Sequence, residues 1–101
     1  MIIYNITTKV HHSIATEWLQ WLKEIHAKEV MESYCFTEFK IVKLLEVDED
    51  EGPTYAVQFF AESKALYNSY IEKFAEEMRR RSFEKWEDKF ISIRSVMQIV
   101  D

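Results

Sequence analysis

The sequence has almost none of the residues that usually interrupt or cross-link a small domain: one glycine, one proline and one cysteine in 101 residues. The single cysteine, Cys35, excludes an internal disulfide and a cysteine-rich metal site, and it is typical of a reducing compartment such as the cytoplasm. The single glycine, Gly52, excludes a glycine-rich phosphate-binding loop and the Gly-x-Ser-x-Gly elbow of many hydrolases. Few irregular segments are therefore expected.

Long apolar runs and an excess of positive charge are also missing. No apolar run approaches the roughly 18 residues of a membrane-spanning helix. The first ten residues lack the basic flank and the cleavage site of a signal peptide. The net charge is -5, from 18 acidic and 13 basic residues, and its field repels nucleic acid and anionic lipid. We therefore expect no nucleic-acid partner and no membrane partner.

Apolar residues, by contrast, are abundant. Hydrophobic residues make up 48% of the sequence and aromatic residues 15%, which is enough for one core. A chain of this length is large enough for one core and too small for two. We therefore expect a single folded domain over residues 1–101.

Four segments show the alternation of side chains that is typical of strands. They span residues 2–10, 36–47, 54–61 and 90–100. The polar segment 48–53 contains the only glycine and the only proline, which predicts a hairpin connection. The second and third strands should therefore pair antiparallel.

Two further segments carry apolar residues three and four positions apart, which predicts helices over residues 13–28 and 63–85. Each begins at a serine that can cap the free amides of the first turn. In a straight first helix, Glu29 would lie near the middle of the apolar stripe. We therefore expect this helix to stop or bend close to Ala27 or Lys28.

The resulting order is β-α-β-β-α-β, which predicts an α+β, ferredoxin-like fold with two helices on one face of a four-stranded antiparallel sheet. The other face should carry large apolar residues mixed with isolated polar ones such as Asn5, Lys43, Gln58 and Arg94. In a monomer this surface would lie in water, and apolar patches of that size usually contact a partner or ligand. We therefore expect a homodimer packed sheet to sheet.

The segment WLQWLKEIH, residues 18–26, concentrates tryptophan and a histidine in the first helix. Helical spacing places Leu22 and Ile25 in line with Trp18, and His26 at the border of that stripe. One interpretation is the buried face of a core helix with a hydrogen-bonded histidine. The other is that His26 and the tryptophans line a pocket.

In the second interpretation the pocket lies between the sheet and the first helix. His26 would act there as a base or hydrogen-bond donor, which requires a substrate proton within about 3 Å. The strands would supply polar contacts, and the structural alternative is an arginine paired with a carboxylate. The candidate ligand-binding residues are Asn5, Trp18, Tyr55, Gln58 and Arg94.

Three other clusters favour structural roles. His11 and His12 are read as a solvated turn pair, so no metal site is predicted. The acidic run 48–51 lacks the distal glutamate of a calcium loop and is read as a hairpin tip. The arginine run 79–81 has glutamates at helical spacing, which favours an outer helix face laced with salt bridges. No cofactor is expected.

The chain resembles a family of small bacterial proteins of unknown function and, more distantly, the dimeric α+β barrel superfamily. The resemblance runs nearly end to end and rests on four motifs. It departs from the family pattern at residues 27–28, at residues 86–88 and at Phe74, where the family has a histidine. The motifs are MIIYN, Trp18-Leu19-x-Trp21-Leu22-Lys23-Glu24-x-His26, Thr54-Tyr55-x-x-Gln58-Phe59 and Lys89-Phe90-x-x-x-Arg94.

The family resemblance implies the fold and a dimer but no activity. The wider superfamily includes cofactor-independent monooxygenases, haem-degrading enzymes and chlorite-dismutase-type proteins, so the fold alone does not decide the function. The leading hypothesis is a non-catalytic homodimer whose candidate ligand is a small apolar or aromatic molecule. The alternative is a monooxygenase-like enzyme that uses His26 in a cleft between helix and sheet.

Overall fold

Four segments with alternating side chains form one antiparallel sheet in the computed structural model, which describes all 101 residues. The strand order β2-β3-β1-β4 is that of the ferredoxin-like fold, so the predicted fold class is confirmed. The predicted bounds of the first and third strands are also confirmed. The strands are β1 Ile2–Val10, β2 Glu38–Lys43, β3 Thr54–Ala61 and β4 Phe90–Gln98.

The second strand is shorter than predicted. The last bond of this ladder joins the Leu44 amide to the Thr54 carbonyl at 2.9 Å. Beyond it, Glu46 adopts a positive φ of 58°, which a continuing strand does not allow. The alternation of Leu45 and Val47 therefore belongs to the connecting loop, where both side chains are exposed.

Three helices cover one face of the sheet. Helix α1 (residues 15–31) consists of Ala15–Trp21, a π-helical turn Leu22–His26 and a final segment Ala27–Met31. The predicted second helix is divided at Phe74, whose φ of -127° breaks the helical backbone. None of the helices is long and apolar enough to cross a membrane. The two parts of the divided helix are α2 Lys64–Lys73 and α3 Ala75–Trp86.

The two predicted serine caps have different outcomes. The Ser63 hydroxyl accepts a hydrogen bond from the Leu66 amide at 3.2 Å, so this cap is confirmed. The predicted cap at Ser13 is wrong, because its hydroxyl hydrogen-bonds the His11 ring at 2.7 Å and helix α1 begins after Ile14.

The helix does not stop at Ala27 or Lys28 but continues to Met31, and the irregularity next to the predicted stop or bend is the π-helical turn that ends at His26. A π turn holds more residues than an α turn and so changes which side chains face the sheet beyond it. Ile25, predicted to lie in the buried stripe, is 50% exposed, whereas His26 is only 8% exposed. Glu29 is displaced from the stripe and pairs with Arg81 on α3 at 2.8 Å.

The core lies between the helices and one face of the sheet. Its centre is aromatic: the ring centroids of Tyr4 and Phe36 are 6.3 Å apart, and those of Phe36 and Tyr70 are 5.0 Å apart. Cys35 is buried in this cluster, as expected for a small apolar residue.

The register of the sheet fixes which side chains lie on the open face, away from the helices. Asn5 pairs with Gln58 on β3, so both lie there as predicted. Lys43 pairs with Tyr55, and Arg94 pairs with Ile6, which places these two on the helix-covered face instead and corrects their prediction. The large apolar side chains of the open face are Ile3, Val42, Phe60, Ile91, Ile93 and Met97.

Candidate functional site

A small cleft lies between helices α1 and α3 and strands β1, β3 and β4. Its volume is about 50 Å³. Apolar and aromatic side chains alternate in its wall with a histidine, two arginines and three hydroxyl groups. The lining residues are Ile6, Thr8, Trp18, Trp21, Leu22, His26, Val57, Arg79, Ser82, Phe90, Ser92 and Arg94.

The inner wall of the cleft is built by helix α1. Trp18 and Trp21 are buried, and the His26 ring stacks on Trp21 with centroids 4.5 Å apart. On its other side, Trp21 meets the Trp86 ring of α3 edge to face at 5.8 Å. The π-helical turn therefore directs an imidazole inward, between an indole and the sheet.

His26 is held in its neutral form. Its Nδ1 atom is buried and has no hydrogen-bond partner within the chain. Burial, together with the nearby positive charges of Arg81 and Arg94, lowers the pKa of His26 to about 4. At neutral pH the ring can exchange hydrogen bonds with a ligand, but a base with this pKa is weak.

Two arginines, Arg79 and Arg94, line the cleft, and neither forms a salt bridge. Arg94 makes no salt bridge, so the structural alternative of a carboxylate partner is not met. Arg79 donates only to the Tyr4 hydroxyl, at 3.5 Å. The neighbouring Arg80 and Arg81, by contrast, bind glutamates on the outer helix surface.

The structure brings some of the predicted site residues together and separates others. His26, Trp18 and Arg94 all line the cleft. Tyr55 does not line the cleft, but its ring stacks on that of Trp18 with ring centroids 5.8 Å apart.

Asn5 and Gln58 lie on the open face of the sheet and do not reach the cleft. The Asn5 amide donates instead to the Thr7 hydroxyl at 2.9 Å. The residues that sequence reasoning missed include Arg79 and Ser82 on α3, for which the available signal was helical spacing: Ser82 follows the apolar Met78 by four residues and Arg79 by three.

A larger surface groove of about 490 Å³ lies at the end of β1 and the beginning of β4. It includes His11, whose ring lies 4.2 Å from that of His12. No group of three or more histidine, cysteine or acidic side chains is placed to hold a metal ion. The groove lining is Lys9, His11, Glu51, Asp88, Lys89, Phe90 and Ile91.

Comparison with known protein families identifies the family of this chain. The family described as a domain of unknown function, DUF4286, matches residues 1–100. The chain belongs to this family. No curated protein sequence matches it. DUF4286 membership therefore fixes the family of the chain and leaves its function to the geometry of the site.

Solved structures similar to this DUF4286 protein share its fold at low sequence identity. A dimeric ferredoxin-like protein from an uncultured marine organism has a TM-score of 0.69 and 10% identity, covering 99% of this chain and 95% of its own. SnoaB, a cofactor-independent oxygenase from Streptomyces nogalater, has a TM-score of 0.67 and 7% identity, covering 99% and 94%. At3g17210 from Arabidopsis thaliana has a TM-score of 0.69 and 19% identity, covering 100% and 99%. At these identities the likeness establishes the fold alone.

The buried His26 predicts a pH-dependent stability. Because the folded protein holds the pKa at about 4 against 6.5 for a free histidine, the unfolded chain binds more protons between these values. Stability should therefore fall as the pH drops from about 6.5 to about 4, by roughly 3 kcal/mol from this residue.

Urea unfolding at several pH values measures this loss of stability. A His26→Phe variant should lose about that much less stability than the wild type across this window. The exposed His12→Gln variant is the control, and equal slopes for all three proteins would contradict the assignment.

Proposed function

We propose that this chain is a non-catalytic, homodimeric protein that binds a small, largely apolar molecule in the cleft between helix α1 and the sheet. The observation that carries the proposal is the inner wall of the cleft. There Trp18 and Trp21 offer apolar surface next to a neutral His26 whose buried Nδ1 has no partner. Apolar walls with a few convergent polar groups are the usual composition of small-molecule sites.

The homodimer is supported by the open face of the sheet. Ile91 and Ile93 on β4 are each 69% exposed there, Met97 is exposed on the same strand, and Val42 is exposed on β2 at the opposite edge of the sheet. Apolar side chains exposed on an open sheet face are covered when two sheets pack face to face. A structural neighbour with the same fold is itself described as dimeric. Because these exposed residues lie on the face away from the helices, a dimer of this kind leaves the cleft accessible.

An enzyme of the monooxygenase type is the weaker candidate. The oxygenase SnoaB shares the fold, and this alternative requires an aromatic substrate to lie against His26. Sites for drug-sized substrates, however, enclose about 300–1,000 Å³, against about 50 Å³ here. A histidine with a pKa of about 4 is also poorly matched to proton abstraction near neutral pH.

The proposed place of action is the cytoplasm. The only cysteine, Cys35, is buried and free, which suits a reducing compartment. No feature of the binding proposal depends on this location.

Ligand binding can be tested by fluorine NMR with two small probes, 3-fluoropropanoate and 3-fluoro-1-propanol. We expect at least one probe to broaden and shift on addition of the wild-type protein. A Ser82→Leu variant, which fills the cleft from α3, should abolish the effect. A Ser13→Leu variant, which alters an exposed serine outside the cleft, should retain it. Absence of binding by both probes to the wild type, or equal binding to the Ser82→Leu variant, would contradict the proposed function.

A further inference from the structure

The size of the cleft limits which ligands fit. An apolar cavity of about 150 Å³ encloses one benzene ring, which is about 25 Å³ for each of its six heavy atoms. The 50 Å³ of this cleft therefore hold about two heavy atoms and cannot enclose an aromatic ring. A short aliphatic chain fits this space, and a ring does not.

The charge around the cleft favours one class of short aliphatic ligand. None of the lining residues is acidic, although the whole protein carries a net charge of -5. Both lining guanidinium groups lack a carboxylate partner: Arg94 has no salt bridge, and Arg79 has only its contact with the Tyr4 hydroxyl. The cleft is therefore a local positive site on an acidic protein, which favours an anionic ligand.

The positions of these groups give the ligand an orientation. Arg79 and Arg94 are exposed, while Trp18, Trp21 and Leu22 are buried. An apolar tail would contact the buried side chains, and a charged head would remain at the entrance beside the arginines. A guanidinium group suits a carboxylate there because its parallel N–H groups match the two oxygens.

We propose that the ligand is a short aliphatic carboxylate of about three carbons, with its tail against Trp18 and Trp21 and its carboxylate on Arg94, assisted by Arg79. This inference rests on the proposed function of the cleft. His26 lines the cleft in its neutral form and adds no charge that the ligand would have to balance.

The test compares the affinities of matched probes by fluorine NMR titration at neutral pH. In the wild type we expect 3-fluoropropanoate to bind about tenfold more tightly than 3-fluoro-1-propanol, because only the carboxylate gains charge-assisted bonds. An Arg94→Gln variant should reduce this preference to about twofold or less. Arg80→Gln is the matched control, because Arg80 is already occupied by glutamates outside the cleft. In competition with the fluorinated carboxylate, propanoate should bind more tightly than benzoate.

The outcomes separate the two proposals. If neither probe binds, the proposed function itself fails. If both bind equally well, or if benzoate competes as well as propanoate, the cleft is a ligand site but the inference about the ligand class is overturned. If the carboxylate preference survives in Arg94→Gln and in an Arg79→Gln, Arg94→Gln double variant, the assignment of the head-group site is overturned.

Discussion

An Ile93→Asp variant is expected to be a monomer, whereas the wild type is expected to be a dimer. Ile93 is 69% exposed in one chain and lies on the open face of the sheet, where the proposed interface would bury it. Two aspartates would then be buried in the interface without partners, so we expect the dissociation constant to rise by about a hundredfold or more. Light scattering coupled to size exclusion should give 12.2 kDa for the variant and twice that mass for the wild type.

The control for this experiment is Ile25→Asp. Ile25 is also exposed, at 50%, but it lies on the outer side of helix α1 rather than on the sheet. This variant should remain dimeric, so charge alone would not explain dissociation. A wild-type protein that elutes as a monomer at micromolar concentration would show that the apolar face of the sheet is not a self-association surface.

A Gly52→Ala variant is expected to lose about 3 kcal/mol or more of its free energy of unfolding. Gly52 has a φ of 149°, and an added Cβ would lie 1.8 Å from the Val10 carbonyl oxygen. That oxygen belongs to backbone fixed on both sides: the Val10 amide donates to Pro53 at 3.0 Å, and the His12 amide donates to Glu51 at 2.9 Å. The clash can be relieved only by moving the loop away from the end of β1.

Urea unfolding of Gly52→Ala beside Asp50→Ala measures this cost. Asp50 lies in the same loop but is exposed, so its variant should stay within about 0.5 kcal/mol of the wild type. Equal stabilities of the two variants would mean that the loop can move off the end of β1 without loss of stability.

The sheet and its strand order could be predicted because they depend on patterns of period two. The alternation along residues 2–10 and 54–61 gives the same bounds in the structure, since each strand has one face against the helices. In helix α1 the spacing of 3.6 residues per turn correctly predicts that Trp18 and Leu22 are buried, but it wrongly places Ile25 on the same stripe. The π-helical turn leaves no signature in residue type, and its effect is seen only where Ile25 is turned outward and His26 inward.

The candidate site could be predicted only in part, for a related reason. His26, Trp18 and Arg94 line one cleft, but strand register, which depends on tertiary pairing, decides that Asn5 and Gln58 face the other way. Arg79 was assigned to the outer helix face with its two neighbours in sequence. In fact the three arginines point in different directions around α3, and only the charges of Arg80 and Arg81 are neutralised by glutamates.

The π-helical turn Leu22–His26 also has an evolutionary meaning. A π turn accommodates one residue more than an α turn. It therefore marks a place where one residue can be inserted while the helix segments on both sides keep their packing. Relatives with an unbroken α-helix should therefore align with a single-residue gap between Trp21 and Ala27. Such relatives would keep the fold but lack an inward histidine, so the gap itself would sort the family into proteins with and without this site.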